Sequence, residues 1–225
     1  MRDLIKSHEI DKMPTRKDHL GGLVQIIINQ QLSNKAAATI FHRFKSLFTG
    51  QITSRKILAL SEPNFTAVGI SRPKASYIHA LAQRLAAEPK FLQKVRAADD
   101  QSATKLMTSI KGIGPWSAQI FLMFNLGRLD IFPIGDLILN RAIRKLYEAQ
   151  PGEEASVAER WTPYRSIASM HLWRWTDDSW GCYRRPAKTL LGEAARDLTD
   201  CRLYWYDSVI PVSYTHLRAH ETRSY

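Results

Sequence analysis

The stretch LMTSIKGIGPWSAQIFLMF, residues 106–124, decides how this chain is read. It reads as helix, glycine turn, helix. Pro115 lacks an N–H and has its φ fixed, which suits the first turn of the second helix, where that N–H has no partner in any case. Gly112 and Gly114 carry no Cβ, so they can adopt positive φ and let the backbone N–H groups of the turn approach another molecule. Those groups lie at a helix N-terminus, where the macrodipole also favours an anion such as a DNA phosphate. A plain corner between two helices fits the same residues, so the turn needs support from elsewhere in the chain. No backbone requirement explains Trp116.

The composition narrows the classes. The 225 residues are 44% hydrophobic and 24% charged, which is globular composition and excludes a disordered or collagen-like chain. Lys and Arg number 32 against 21 Asp and Glu, a formal charge of +11 with an isoelectric point near 9.8, which favours a polyanionic partner such as nucleic acid or an anionic membrane surface. Cys182 and Cys201 are the only cysteines, too few for a disulfide framework and not spaced for structural zinc or an iron–sulfur cluster. The N-terminus carries no apolar run resembling a signal peptide, and the longest aliphatic stretch, residues 23–28, is too short to span a bilayer. The expectation is a soluble protein of a reducing intracellular compartment.

Helical periodicity dominates the rest. Helices are expected over 17–30, 33–48, 53–60, 72–87, 102–110, 115–126, 135–149, 154–161 and 164–176, with Ser33 as an N-cap. Breakers separate them at Gly50, Pro63, Gly69, Pro89, Gly127, Pro133, Pro151-Gly152 and Pro163. Alternating strand patterns are scarce, so the fold class is all-α, with about ten helices. The last stretch, VSYTHLRAHETRSY (212–225), does not continue the amphipathic pattern and reads as a non-native tail, leaving 1–211 as the domain. The tail holds two Arg and one Glu, so without it the charge is still +10.

Two further segments bear on chemistry. In FPIGDLILNRAI, Pro133 and Gly135 place Asp136 at a helix entrance, twenty-two residues beyond Gly114. Capping that helix is the plainer role for a lone aspartate there; catalysis is the sharper one. In ERWTPYRSIASMHLWRW (159–175), helical spacing puts Tyr164, Ile167, Ala168, His171 and Trp175 on one stripe suited to core, and leaves Trp173 on another face.

Taken together, five segments resemble the helix-hairpin-helix-GPD superfamily of DNA glycosylases, and within it the 3-methyladenine DNA glycosylase II group. They are IINQQLSNKAAATIFHRF (27–44), GISRPKASYI (69–78), the hairpin itself, IFPIGDLILNRAI (131–143) and RWTPYRSIASMHLWRW (160–175). The likeness runs in uninterrupted order over about residues 17–177. Asn29 stands where a small residue is usual, and Thr66 and Ile138 replace an expected Arg and Gly. The chain begins close to the first matching helix, so no additional N-terminal β-domain of the kind some relatives carry is expected.

The resemblance implies two helical subdomains flanking a cleft, and a monofunctional enzyme that flips an alkylated base from duplex DNA and hydrolyses its N-glycosidic bond. It implies Asp136 as the catalytic carboxylate, Trp116 and Trp173 as walls of the base pocket, and Lys111, Gly112, Ile113 and Gly114 as the DNA-backbone contact. Gln31 and Leu32 match the region that fills the vacated base stack. In superfamily members that also cut the strand, a lysine lies at the second position after the hairpin's last glycine; here that position is Trp116, which cannot form an imine. No cofactor and no catalytic metal are implied, although a structural monovalent cation at the hairpin is compatible. The partner would be double-stranded DNA bearing alkylated bases, with no membrane, the chain acting as a monomer in the cytoplasm or nucleoid, or in a eukaryotic nucleus. A non-catalytic helix-hairpin-helix DNA-binding module, and a glycosylase for oxidised or mismatched bases, remain the alternatives.

Overall fold

The computed structural model describes residues 1–7, 10, 13 and 15–179; the two cysteines and the 212–225 tail lie outside them. Among the described residues there are twelve α-helices and no strand. In order they are α1 (Arg2–Ser7), α2 (His19–Asn29), α3 (Asn34–Lys45), α4 (Ser54–Leu58), α5 (Glu62–Ala67), α6 (Arg72–Ala87), α7 (Phe91–Ala97), α8 (Asp100–Thr108), α9 (Pro115–Phe124), α10 (Leu137–Tyr147), α11 (Glu154–Glu159) and α12 (Arg165–Ser179). The all-α expectation holds. No helix of the described residues is long and apolar enough to cross a membrane.

Local chemistry starts most of these helices. Asp18, Ser33, Thr53 and Asp99 each accept a backbone N–H from the first turn that follows, which satisfies a donor the helix cannot. α6 occupies the span its periodicity predicts. Three helices were not anticipated: α1, α5 and α7, all of seven residues or fewer. Pro63 is a breaker only in the sequence reading. In the fold it sits in the first turn of α5, behind a capping box between Ser61 and Asn64, where its missing N–H costs nothing.

Packing gathers the helices into two groups that meet along the segment between α9 and α10. In the first, α2 lies against α3, α6 and α9, while α8 packs on α7 and α9. Leu23, Val24, Ile26, Ile27 and Ile28 of α2 are wholly buried, as are Phe121 and Leu122 of α9. Each such side chain contributes on the order of 1.5–3 kcal/mol through burial. In the second group, α12 packs on α10 and α1, and α11 packs on α10. Buried side chains from both groups form one continuous core.

The 125–136 segment is pinned to both sides. Arg128 donates to the carbonyls of Val95 and Ala98 at the end of α7 and to the carboxylate of Asp100. Asp130 takes a two-pronged ion pair from Arg165 at the start of α12, and Ser166 Oγ accepts the Ile131 N–H. These ties fix where the chain enters α10.

The stripe expected on the last helix is redrawn. Tyr164 precedes α12 and is exposed, whereas Ser166, residues 168–173 and Thr176 are all buried. Contacts with both α1 and α10 enclose the helix on more than one side. Trp173, expected to be free of the core, is therefore inside it, 1% exposed and packed on Phe124.

The two hairpin glycines differ. Gly112 has φ +88, and a Cβ there would come within 2.2 Å of the Tyr77 ring; Gly114 has φ −86, caps α9, and a Cβ would meet nothing within 4 Å. Only the first is required by the fold. Gly112→Ala is expected to lose about 2–4 kcal/mol of stability through backbone strain and overpacking. Gly114→Ala is expected to stay within about 1 kcal/mol of the parent. Denaturant titration of the two variants checks this, and equal losses would contradict it.

Candidate active site

The site is built on the entrance to α10. Asp136 has extended backbone (φ −80, ψ 112), and its Oδ1 accepts the N–H groups of Ile138 at 3.0 Å and Leu139 at 2.9 Å. The capping role is thus real. It does not exhaust the carboxylate: Oδ1 also accepts the indole N–H of Trp173 at 3.3 Å, and Oδ2 accepts that of Trp116 at 3.0 Å. Trp116 comes from α9 and Trp173 from α12, so the side chain is held where the two helix groups meet. A cap alone has no need of two tryptophans.

Asp136 is 5% exposed. Burial pushes its pKa above the ordinary aspartate value, and the four hydrogen bonds pull the other way without cancelling it. Each carboxylate oxygen has two acceptor sites. Oδ1 has three donors and is crowded, whereas Oδ2 has one. The spare acceptor direction therefore belongs to Oδ2, beside the half-buried ring of Trp116. With its indole edge tied to that oxygen, Trp116 is fixed in place. Asn140, one turn on, donates to the Ile134 carbonyl and steadies the turn leading into Asp136.

The hairpin leads directly into α9, the helix that carries Trp116. Ile113 is buried and donates its N–H to Ile110 O at 3.1 Å, so the expectation that it offers backbone to DNA is corrected: it anchors the turn. Among the described residues the N–H groups of Gly112 and Gly114 have no hydrogen-bond partner, and Lys111 is exposed beside them. Gln30 donates to Gly112 O at 2.9 Å and to Ser117 Oγ at 3.1 Å, which brings the α2–α3 turn against the hairpin. In that turn Gln31 is exposed at φ +58 and Leu32 is half-buried.

Trp173 was expected to wall a pocket. Its ring has no open face, and its indole N–H serves to hold the carboxylate instead. Both tryptophans, expected to offer π-faces, share the carboxylate through indole hydrogen bonds that were not anticipated. No local signal encodes contacts that span 20 and 37 residues.

A groove of about 470 Å³ also runs along α8, the start of α9 and residues 130–132, lined by Thr104, Lys105, Thr108, Gln119 and Arg165 among others. It does not include Asp136, and its Arg165 is already paired with Asp130 and Glu159. Among the described residues no group of three or more His, Cys, Asp or Glu is placed to hold a metal ion.

A glycine hairpin with free N–H groups leads into a helix whose Trp116 holds a buried aspartate at the next helix entrance, which is a helix-hairpin-helix arrangement. The family model described as the HhH-GPD superfamily base excision DNA repair protein matches residues 24–165, and the chain belongs to that superfamily. A Bacillus subtilis protein whose name provisionally makes it a DNA-3-methyladenine glycosylase is 31% identical over 163 residues, 68% of this chain and 57% of its own. The chain thus spans little more than half the length of that relative. Among solved structures, a Bacillus halodurans DNA-3-methyladenine glycosidase is 28% identical with a TM-score of 0.71, over 81% of this chain and 87% of that one. A Schizosaccharomyces pombe 3-methyladenine DNA glycosylase in complex with abasic DNA is 25% identical with a TM-score of 0.67, over 82% and 93%.

The Asp136 carboxylate reports its own titration through its two indole donors. The Trp116 and Trp173 indole N–H resonances are expected to shift together on acidification, with a midpoint above the ordinary aspartate value of about 3.9. A folded-state pKa raised in this way means that the native state binds the proton more tightly than the unfolded chain. This group's contribution to stability therefore grows as pH falls through that midpoint. A midpoint at or below about 3.9 would contradict the assignment.

Proposed function

We propose that the chain is a monofunctional DNA glycosylase that extrudes an alkylated base of the 3-methyladenine or 7-methylguanine type and hydrolyses its N-glycosidic bond. The observation that carries this reading is a buried carboxylate held entirely by neutral donors. Its negative charge is fixed in position without being neutralised. A base methylated at N3 of adenine or N7 of guanine is cationic and leaves with little help from a general acid. As it leaves, positive charge develops at C1′ of the sugar, where Oδ2 of Asp136 would stabilise it and orient the attacking water.

The rest of the arrangement fits that chemistry. The bond to be broken lies inside the duplex, so the nucleotide is flipped out at a cost of about a few kcal/mol. Gln31 and Leu32, held next to the hairpin through Gln30, would occupy the gap. Gly112 and Gly114 supply N–H groups, and Lys111 a cation, for a neighbouring phosphate. Trp116 offers the ring on which an electron-poor base stacks. The 3-methyladenine glycosylase names of the relatives, and the abasic DNA bound by the S. pombe protein, support the same reading.

The decisive experiment is release of free methylated bases from alkylated DNA. Asp136→Asn is expected to cut release at least about 100-fold, about 2.7 kcal/mol of transition-state stabilisation. Affinity for a duplex holding an abasic analogue should change little. Release within about tenfold of the parent would remove Asp136 from the chemistry.

The position that carries a lysine in strand-cutting relatives is Trp116, and an indole cannot attack C1′ to form an imine. Borohydride added during turnover is therefore expected to trap no enzyme–DNA adduct, and the abasic strand should remain intact. A trapped adduct would overturn the monofunctional reading.

A further inference from the structure

The segment GISRPKASYI contains a lysine to which the chemistry above gives no task. Lys74 lies on α6, 44 residues beyond the α2–α3 turn, and its Nζ donates to the carbonyls of Ile28 and Gln30, each at 2.6 Å. These are carbonyls at the end of α2, where a helix has no internal partner for them. We propose that Lys74 is a positioning residue. It locks the turn that carries Gln31 and Leu32, so that the stack-filling turn and the phosphate-binding hairpin act at one fixed spacing. The inference rests on the proposed role of Gln31 and Leu32.

Three features of the turn support it. Gln31 is not a glycine, yet it stands at φ +58, a conformation that costs about 1–2 kcal/mol and persists only where the surroundings enforce it. Lys74 supplies that enforcement with two hydrogen bonds from a cation, which are stronger than neutral ones and favoured by the negative end of the α2 dipole. Burial pushes its pKa down to about 8, so at neutral pH it still carries the charge.

The second feature is the tie to the hairpin, because Gln30, whose carbonyl Lys74 grips, places its own amide on Gly112 O and Ser117 Oγ. The third is Tyr77, one turn beyond Lys74 on α6. Its ring lies so close to Gly112 that a Cβ there would be 2.2 Å away. One helix therefore braces the turn with Lys74 and the hairpin with Tyr77. Misplacement of positioning groups by about 1 Å can cost up to about 100-fold in rate, which is why such a brace matters.

The test compares two duplexes of one sequence, one intact and one holding a tetrahydrofuran abasic analogue opposite 2-aminopurine, whose emission rises when it is unstacked. Lys74→Met keeps the aliphatic stem and removes the ammonium. Affinity for the intact duplex should stay within about twofold, while preference for the abasic duplex should fall about tenfold, ~1.4 kcal/mol, with loss of the emission rise. A merely structural lysine would lower the folded fraction and reduce both affinities by the same factor. An unchanged preference therefore overturns the proposal.

Should Lys74→Met not fold, Gln30→Met severs the tie to the hairpin instead. The same fall in preference supports the proposal, and parental preference overturns it. Leu32→Ala separates the two levels of the argument. If it too leaves preference and emission at parental values, the stack-filling role fails and takes this inference with it. If it lowers them while Lys74→Met does not, only the role of Lys74 is lost.

Discussion

The carboxylate of Asp136 is the contact on which the rest of the site depends. Placing an ionised group where it is 5% exposed carries a desolvation cost that only well-aimed donors can offset. The donors come from three places: the backbone at the entrance of α10, Trp116 on α9 and Trp173 on α12. Moving any of the three takes at least one hydrogen bond from the buried carboxylate. The cost is not fully recovered, since burial leaves the pKa raised despite four hydrogen bonds. At neutral pH the native state thus carries a residual penalty at this point. A residue kept only as a helix cap would have no reason to bear it.

Supporting structure is arranged around that constraint. The segment between α9 and α10 is tied to the first helix group by Arg128 and to the second by the Asp130–Arg165 pair and Ser166. Arg128 serves the ends of α7 and α8 as well as this segment, so one guanidinium satisfies orphan carbonyls and sets the approach to the site. The net charge of +11 acts at longer range. Under the proposed function it would draw a polyanion in at a distance and be screened by salt, whereas the free N–H groups at the hairpin would act only on a phosphate already in contact.

Much of this was legible in the sequence where the governing interactions are local. The α6 limits followed from the apolar spacing between the breakers Gly69 and Pro89, and the hairpin followed from its glycines and Pro115. Pro63 was misread because a proline in a first turn and a proline that stops a helix look alike until the capping box behind it is seen. Trp173 was misplaced because a stripe argument assumes one solvent face, and α12 is enclosed on more than one side. Ile113 was assigned to DNA with its neighbours, although its apolar side chain suited it to anchor the turn. Asp136 was found as a position, but its indole partners were not, because side-chain hydrogen bonds over long separations are set by tertiary packing alone.

The choice of tryptophan at position 116 then follows from electrostatics. Under the proposed function, a lysine there would place an ammonium against Oδ2 and offset part of the charge that would stabilise a developing cation at C1′. An indole N–H orients the same oxygen and leaves its charge intact. Every other donor to Asp136 is likewise an uncharged N–H, so the carboxylate is geometrically saturated on Oδ1 while its charge remains uncompensated. In a water-poor setting that charge acts at low effective dielectric, where its attraction for a cation is several times that in water. A neutral leaving base would gain from it only late, as the glycosidic bond breaks. Under the proposed function, a base that is already cationic when it enters would be attracted from the start, and the same ring that holds the carboxylate would give that base a face on which to stack.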